Sequence, residues 1–259
     1  MTKFFGILNI TPDSFSDGGN YNSIISALDQ TKVLIEQNCD IIDIGAESTR
    51  PGAVAITSQD EIKRLSPIVE NIAEYIKNYN IEFKRNIHIS LDSRHYETIR
   101  KYIDIIDIIN DVSGLVDERI IEIGKKFNKK LVLMHNLGVP SDPNHTISRN
   151  ENIIELIKQW LDRRLQILKK YSFCRDQIIF DPGLGFGKCD QHNIDIINNI
   201  EEFDKYNMDI LVGHSKKRFL DIFEHPDLLK NSSREEKTKF ISNLLINKNI
   251  SYLRIHNIL

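Results

Sequence analysis

Cysteine is scarce in this chain: Cys39, Cys174 and Cys189 lie far apart along 259 residues. An odd, scattered set supports neither a disulfide framework nor a paired-cysteine zinc site. Long hydrophobic runs are missing as well. None reaches the roughly 18 residues that a membrane-spanning helix needs. The apolar stretch near the N-terminus is too short for a secretory leader with its cleavage site. Neither sign of charge is in excess, since 34 Lys and Arg face 37 Asp and Glu for a net charge of -3. That balance argues against a general nucleic-acid or membrane-surface binder. There is no linker, low-complexity tract or internal repeat, no His-Glu-x-x-His motif, and no metal-ligand spacing among the histidines. The expectation is a soluble, reduced, cytoplasmic protein with no membrane or nucleic-acid partner.

What is present is alternation. Eight short apolar runs, rich in β-branched residues, stand at Phe4–Ile10, Ile41–Ile44, Ile87–Leu91, Ile105–Ile109, Leu131–Met134, Ile178–Phe180, Ile210–Val212 and Tyr252–Ile255. Nearly continuous apolar character suits parallel strands covered on both faces. Helical spacing fills the gaps. Ile62, Leu65, Val69, Ile72 and Ile76 make one helix face, with Ser58 and Glu61 as its capping box. Ile154, Ile157, Leu161, Leu165 and Leu168 make another, and Ile120, Ile123, Gly124 and Phe127 a short one. Ser233 and Glu236 cap a helix carrying Phe240 and Leu244. Strict alternation implies parallel crossovers, hence an α/β fold. Eight strands at this length favour a single (β/α)8 barrel over residues 1–259. Only seven helical gaps separate the strands, so the helix after strand eight is lacking. A partner copy is one way to cover that side of the strand.

The unusual residues follow the strands. Asn9 precedes the loop Thr11-Pro12-Asp13-Ser14-Phe15-Ser16-Asp17-Gly18-Gly19, and strand two leads into Glu47-Ser48-Thr49-Arg50-Pro51-Gly52. Later ends give Asp92-Ser93-Arg94, Asn110-Asp111-Val112-Ser113-Gly114, Met134-His135, Asp181-Pro182-Gly183, Gly213-His214-Ser215-Lys216-Lys217 and Arg254-Ile255-His256. In a (β/α)8 barrel these ends converge on the face where active sites are built. Carboxylates and amides (Asn9, Asp92, Asn110, Asp181) suit a flat heterocycle bearing N–H groups. Cations (Arg50, Lys217, Arg254) and His256 suit a phosphate or diphosphate. The plainer alternative is a structural network in which Asp92 and Asp181 pair with Lys217 or Arg254. The run Gly183-Leu184-Gly185-Phe186-Gly187-Lys188 is neither a dinucleotide fingerprint nor a P-loop: Lys188 holds the third glycine position, and Pro182 and Cys189 stand where a P-loop needs Gly and Ser/Thr.

The two long loops and the later segments, in this order, resemble the signature motifs of dihydropteroate synthase across essentially the whole chain. The resemblance implies a (β/α)8 barrel that joins 6-hydroxymethyl-7,8-dihydropterin diphosphate to p-aminobenzoate, is the target of sulfonamides, uses magnesium and forms a homodimer. It carries the pterin-binding roles to Asp92, Asn110, Asp181 and Lys217, with Met134 beside the ring. It gives the metal-ligand role to Asn9, diphosphate binding to Thr49, Arg254 and His256, and the p-aminobenzoate pocket to Phe15, Pro51, Phe186 and Ser215. The chemistry is expected to rest on Asp92, Asp181, Lys217 and Arg254. Three positions depart from the family pattern: His214 and Lys216, read as neighbours of the p-aminobenzoate pocket, and Asn257. Alternative readings are a pterin-binding methyltransferase acting on methyltetrahydrofolate, which has no need of the Arg254–His256 anion site, and a pterin-binding pseudoenzyme.

Overall fold

The apolar runs pair edge to edge, each with the next and the last with the first. The computed structural model describes residues 1–10, 19–49, 52–142, 145–228 and 232–258, with the side chains of residues 19–23 excepted. Its elements are β1 Lys3–Asn9, α1 Gly19–Glu36, β2 Ile41–Gly45, α2 Ser58–Leu65, α3 Ile68–Phe83, β3 His88–Asp92, α4 Tyr96–Tyr102, β4 Ile108–Asp111, α5 Glu118–Lys126, β5 Lys130–Met134, α6 Ile153–Lys170, β6 Ile178–Asp181, α7 Asp190–Asn198, β7 Asp209–Val212, α8 Arg234–Asn247 and β8 Tyr252–Ile255. The strands are parallel and close in sequence order into one barrel. No helix among the described residues is long and apolar enough to cross a membrane.

Period-two alternation sorts the strand residues between two environments. Outward residues such as Leu8, Ile44, Leu91, Ile109, Leu133, Phe180, Val212 and Leu253 join the helices in one apolar cluster. Inward residues Phe5, Ile41, Ile108, Val132, Ile179, Leu211 and Tyr252 form a second, separate cluster that plugs the barrel. Phe5 and Tyr252 meet edge to face within it, centroids 5.3 Å apart. Two residues further along, the inward positions become Asp43, Asn110, Met134, Asp181, Gly213 and Arg254, with Ile7 on β1 still apolar. The interior is therefore apolar at the N-terminal ends of the strands and polar at their C-terminal ends.

Several local expectations change. The Ile62–Ile76 stripe is buried as expected except at half-buried Ile62, but it belongs to two helices. Pro67 divides them, because it has no N–H to continue the ladder. The N-cap of α2 is Thr57, whose hydroxyl accepts from the Asp60 N–H at 3.1 Å. Glu61 instead turns inward. The run from Ile105 is split. The backbone N–H groups of Ile105 and Ile106 both donate to the Tyr102 carbonyl, and β4 begins only at Ile108. The Ser233–Glu236 capping box is present as expected. The buried face of α8, however, carries Ile241 and Leu245, with Phe240 and Leu244 only half-buried. No helix follows β8 among the described residues, yet its outward Leu253 and Ile255 are fully buried. They share an apolar cluster with Leu34 of α1 and with Ile241 and Leu245 of α8, so no partner copy is needed to cover them.

Glu61 is fully buried and accepts the Ser93 hydroxyl at 2.6 Å. Burial pushes its carboxyl up to about 7, against the pull of that hydrogen bond. The protonated form is therefore the one the fold favours. Its stabilising effect is complete below the ordinary carboxylate range and disappears as pH rises through about 7. Relative to Glu61→Gln, the wild type should lose up to about 3 kcal/mol between pH 4.5 and pH 8. Urea unfolding of both proteins across that range checks this, and parallel stability profiles would contradict it.

Candidate active site at the C-terminal ends of the strands

Arg254 on β8 points into the barrel between two carboxylates. Its Nε donates to Asp43 Oδ2 and its Nη2 to Asp92 Oδ2, both at 2.6 Å. Asn110 on β4 donates to both oxygens of Asp43 at 3.2 Å. Asp43 is fully buried, whereas the Arg254 side chain keeps 22% of its surface exposed. The guanidinium is thus the upper member of the network, in reach of anything entering the mouth. Among the described residues Asp92 Oδ1 has no partner. Burial pushes the Asp92 carboxyl up, and the charge of Asp43 adds to this while Arg254 pulls the other way. The carboxylates in turn hold Arg254 firmly cationic against its own desolvation.

A second charged group lies across the barrel. Asp181 ends β6, and its Oδ1 accepts the Gly183 N–H at 2.7 Å. Burial raises its carboxyl, partly offset by attraction to Lys217. Burial likewise lowers the Lys217 ammonium to about 8, against the pull of Asp181. Lys217 Nζ donates to the Leu184 carbonyl and sits 5.0 Å over the ring of Phe186. Met134, on the strand between Asn110 and Asp181, is buried and inward-facing.

The rim is completed by Ser215 and His256. Ser215 Oγ lies 3.0 Å from His256 Nδ1 and accepts the His256 backbone N–H at 3.3 Å. Asn9 is half-buried at the end of β1 and Thr49 half-buried in the segment after β2, and the Asn9 side chain has no hydrogen bond among the described residues. Asp92, Asn110, Met134, Asp181, Lys217 and Arg254 therefore share the interior, with Asn9, Thr49, Phe186, Ser215 and His256 around it. Phe15, Arg50 and Pro51 lie outside the described residues. Chemically, the floor accepts N–H groups and the side formed by Lys217, Arg254 and His256 favours an anion.

The structure revises three residues. Asp43 was hidden inside an apolar run, although it shares the inward phase of Ile41 and so signals a charge in the barrel. Lys188 belongs to a run that fails the phosphate-loop pattern, yet its ammonium is buried among four acceptors. His214 was read as a neighbour of the p-aminobenzoate pocket, but it faces away. Its Nε2 meets the Thr238 carbonyl at 3.1 Å and Ser242 Oγ at 2.9 Å on α8. Burial lowers its imidazole to about 4, so it is a neutral packing residue. Lys216 is exposed.

Comparison with known proteins agrees with this geometry. The sequence profile of a family described as pterin binding enzyme matches residues 5–256. A dihydropteroate synthase of Synechocystis is 34% identical over 229 residues, 87% of this chain and 76% of that protein. A probable bifunctional folylpolyglutamate synthase/dihydropteroate synthase of Halobacterium salinarum is 35% identical over 228 residues, 87% of this chain. The matched region spans only 27% of the length of that relative. The crystal structure of dihydropteroate synthase from Anaplasma phagocytophilum with bound 6-hydroxymethylpterin-monophosphate superposes with a TM-score of 0.85 at 30% identity. The superposition covers 99% of this chain and 94% of that one.

The Asp181 turn depends on Gly183, which has φ +67°. A Cβ there would stand 1.9 Å from the carbonyl oxygen of His135, a backbone atom at the end of β5. Gly183→Ala should destabilise the protein by about 1–3 kcal/mol, from left-handed strain and displacement of that strand end. Gly138→Ala, with nothing within 4 Å, should leave stability unchanged. Urea unfolding of the pair measures this, and equal midpoints would contradict it.

Proposed function

The chain belongs to the dihydropteroate synthase family of pterin-binding enzymes, and on that premise we propose that it condenses 6-hydroxymethyl-7,8-dihydropterin diphosphate with p-aminobenzoate, releasing diphosphate and 7,8-dihydropteroate. The observation that carries this reading is the polarity of the barrel interior. Carboxylates and an amide make its floor, and Lys217, Arg254 and His256 make a cationic side. A pterin diphosphate has the matching polarity, with N–H groups at one end and phosphates at the other.

In this reading Asp181, Asn110 and the free Oδ1 of Asp92 take the N–H edge of the pterin, and Met134 packs beside its ring. Arg254 and His256 hold the diphosphate, with Thr49 at the rim. As the bond between the pterin methylene and the diphosphate oxygen breaks, positive charge grows on the pterin and negative charge on the leaving group. Asp92 and Asp181 stabilise the first; Arg254, Lys217 and His256 stabilise the second. Fixed charges aimed at charge that develops only in the transition state lower the barrier without reorganisation. The arylamine nitrogen then attacks the methylene carbon, forms the C–N bond and sheds one proton. Phe186 and Ser215 belong to the arylamine pocket, together with Phe15 and Pro51 in the loops.

The donor set suits magnesium. Among the described residues no group of three His, Cys, Asp or Glu side chains is placed to hold a metal. A hard cation that keeps several waters needs only one or two protein oxygens besides those of phosphates. The unpartnered amide of Asn9 supplies one at the mouth. When bound with the diphosphate, magnesium neutralises charge on the leaving group.

The test is to mix the protein with pterin diphosphate, p-aminobenzoate and magnesium and follow diphosphate release. Turnover is expected, with a loss of roughly 10²–10³-fold in Arg254→Ala, the scale of removing one stabiliser of developing charge. A sulfonamide should compete with p-aminobenzoate and bind tightly only when diphosphate is present. No release by the wild type, or undiminished turnover by Arg254→Ala, would overturn the reading. Sulfonamide binding indifferent to diphosphate would also count against it.

A further inference from the structure

The loop after β6 is tied down from beneath by one buried cation. Lys188 is 6% exposed, and its Nζ donates to His135 Nδ1 at 2.9 Å, Gly183 O at 2.8 Å, Phe186 O at 3.0 Å and His135 O at 3.2 Å. An ammonium has three N–H groups, so four acceptors saturate it. Two of them lie on the residue just past β5 and two in the loop itself. The side chain therefore joins the end of one strand to the loop that leaves the next.

Among the described residues no carboxylate oxygen is within hydrogen-bonding distance of this ammonium; its bonded partners are dipoles, and Asp181 attracts it only from farther away. Burial lowers Lys188 to about 7, and together with the Lys188 charge it lowers His135 to about 2. His135 is accordingly neutral, and its Nδ1 acts as the acceptor. The ring of His135 rests edge-on against Trp160 of α6, centroids 5.0 Å apart. Desolvating an amine is costly unless its N–H groups are hydrogen-bonded, and here every one of them is.

What this cage fixes belongs to the site. Gly183 N–H orients Asp181, and the Phe186 ring lies under Lys217. Gly187 is packed against Leu137 so closely that a Cβ would stand 2.5 Å away. The Ile147 N–H also donates to Gly187 O at 2.9 Å. Gly185 N–H is held by Asn193 Oδ1 at 2.7 Å. The Phe186 N–H closes the turn on Gly183 O at 3.2 Å, and Lys188 ties both of those carbonyls to His135 at the end of β5.

We propose that Lys188 is a positioning residue for the arylamine substrate: by holding the Gly183 and Phe186 carbonyls against His135 it sets Phe186 in the wall of the p-aminobenzoate pocket. Lys188 touches neither substrate and acts through the loop. The inference rests on the synthase reading. It predicts that loosening the loop harms the second substrate more than the first, because Asp181 is itself part of β6 and loses at most the Gly183 N–H, while Phe186 lies midway along the loop.

The test is steady-state kinetics of Lys188→Met and His135→Phe, with calorimetric binding of pterin diphosphate and magnesium. His135→Phe removes the ring acceptor and keeps an aromatic against Trp160, so it reports on the cage even if Lys188→Met does not fold. The expected result is a KM for p-aminobenzoate raised at least tenfold in Lys188→Met and about threefold or more in His135→Phe. The pterin diphosphate Kd should change less than threefold in both. An unchanged KM for p-aminobenzoate in a folded variant would overturn the proposal. So would a loss spread equally over both substrates, which marks a general structural role. Failure of the wild type to turn over would instead refute the synthase reading, so the two outcomes are distinguishable.

Discussion

Arg254 and the two carboxylates it bridges set the terms for the upper half of the barrel. Asp43 is buried completely and Asp92 nearly so. Taking such groups out of water costs several kcal/mol each unless they are paired and hydrogen-bonded, and removing one partner of a buried pair typically costs about 3–5 kcal/mol. One guanidinium bonds both carboxylates at 2.6 Å, and Asn110 satisfies what remains of Asp43. Four strands, β2, β3, β4 and β8, thereby meet in one network. The pairing of β8 with β1 is what makes it possible, since it brings the last strand within two or three strands of β2 and β3.

The same network leaves capacity unused. Two carboxylates share one cation, Asp92 keeps a free oxygen, and the guanidinium remains partly exposed. A purely structural pair would gain by full burial and exact balance. Here the surplus of negative charge lies at the floor and the accessible positive charge nearer the mouth. Across the barrel, Asp181 and Lys217 repeat the pattern, each shifted by burial toward its neutral form. A ligand carrying N–H groups at one end and phosphates at the other relieves both strains at once. Binding and fold stability are therefore linked through the same side chains.

Much of this was legible because the barrel writes itself in two periods. Apolar runs and helical stripes located the strands within a few residues, and charged residues immediately after those runs marked the rim. Asp92, Asn110, Asp181 and Lys217 stand after their runs, and Arg254 stands inside the last one. The misses have physical causes. Asp43 looked like an interruption of an apolar strand because the inward face changes from apolar to polar partway along β2. Ile105 and Ile106 look like strand because the turn that leaves α4 buries Ile106 and half-buries Ile105 just before β4. His214 looked like a site residue because it follows a strand, but its ring packs against α8. Lys188 lay in a glycine-rich run whose known patterns it fails, and only the fold shows its acceptors coming from two different strand ends.

The central claim is that Asp43 and Arg254 act as one unit that presents the cation to the pterin diphosphate. A double-mutant cycle with Asp43→Asn and Arg254→Met tests it most directly, reading the Kd of pterin diphosphate with magnesium by titration calorimetry. Residues in one ion-pair network are coupled by roughly 0.5–3 kcal/mol. The account predicts a coupling above about 1 kcal/mol, with Asp43→Asn costing little once Arg254 is gone. Effects that add within about 0.5 kcal/mol would contradict it.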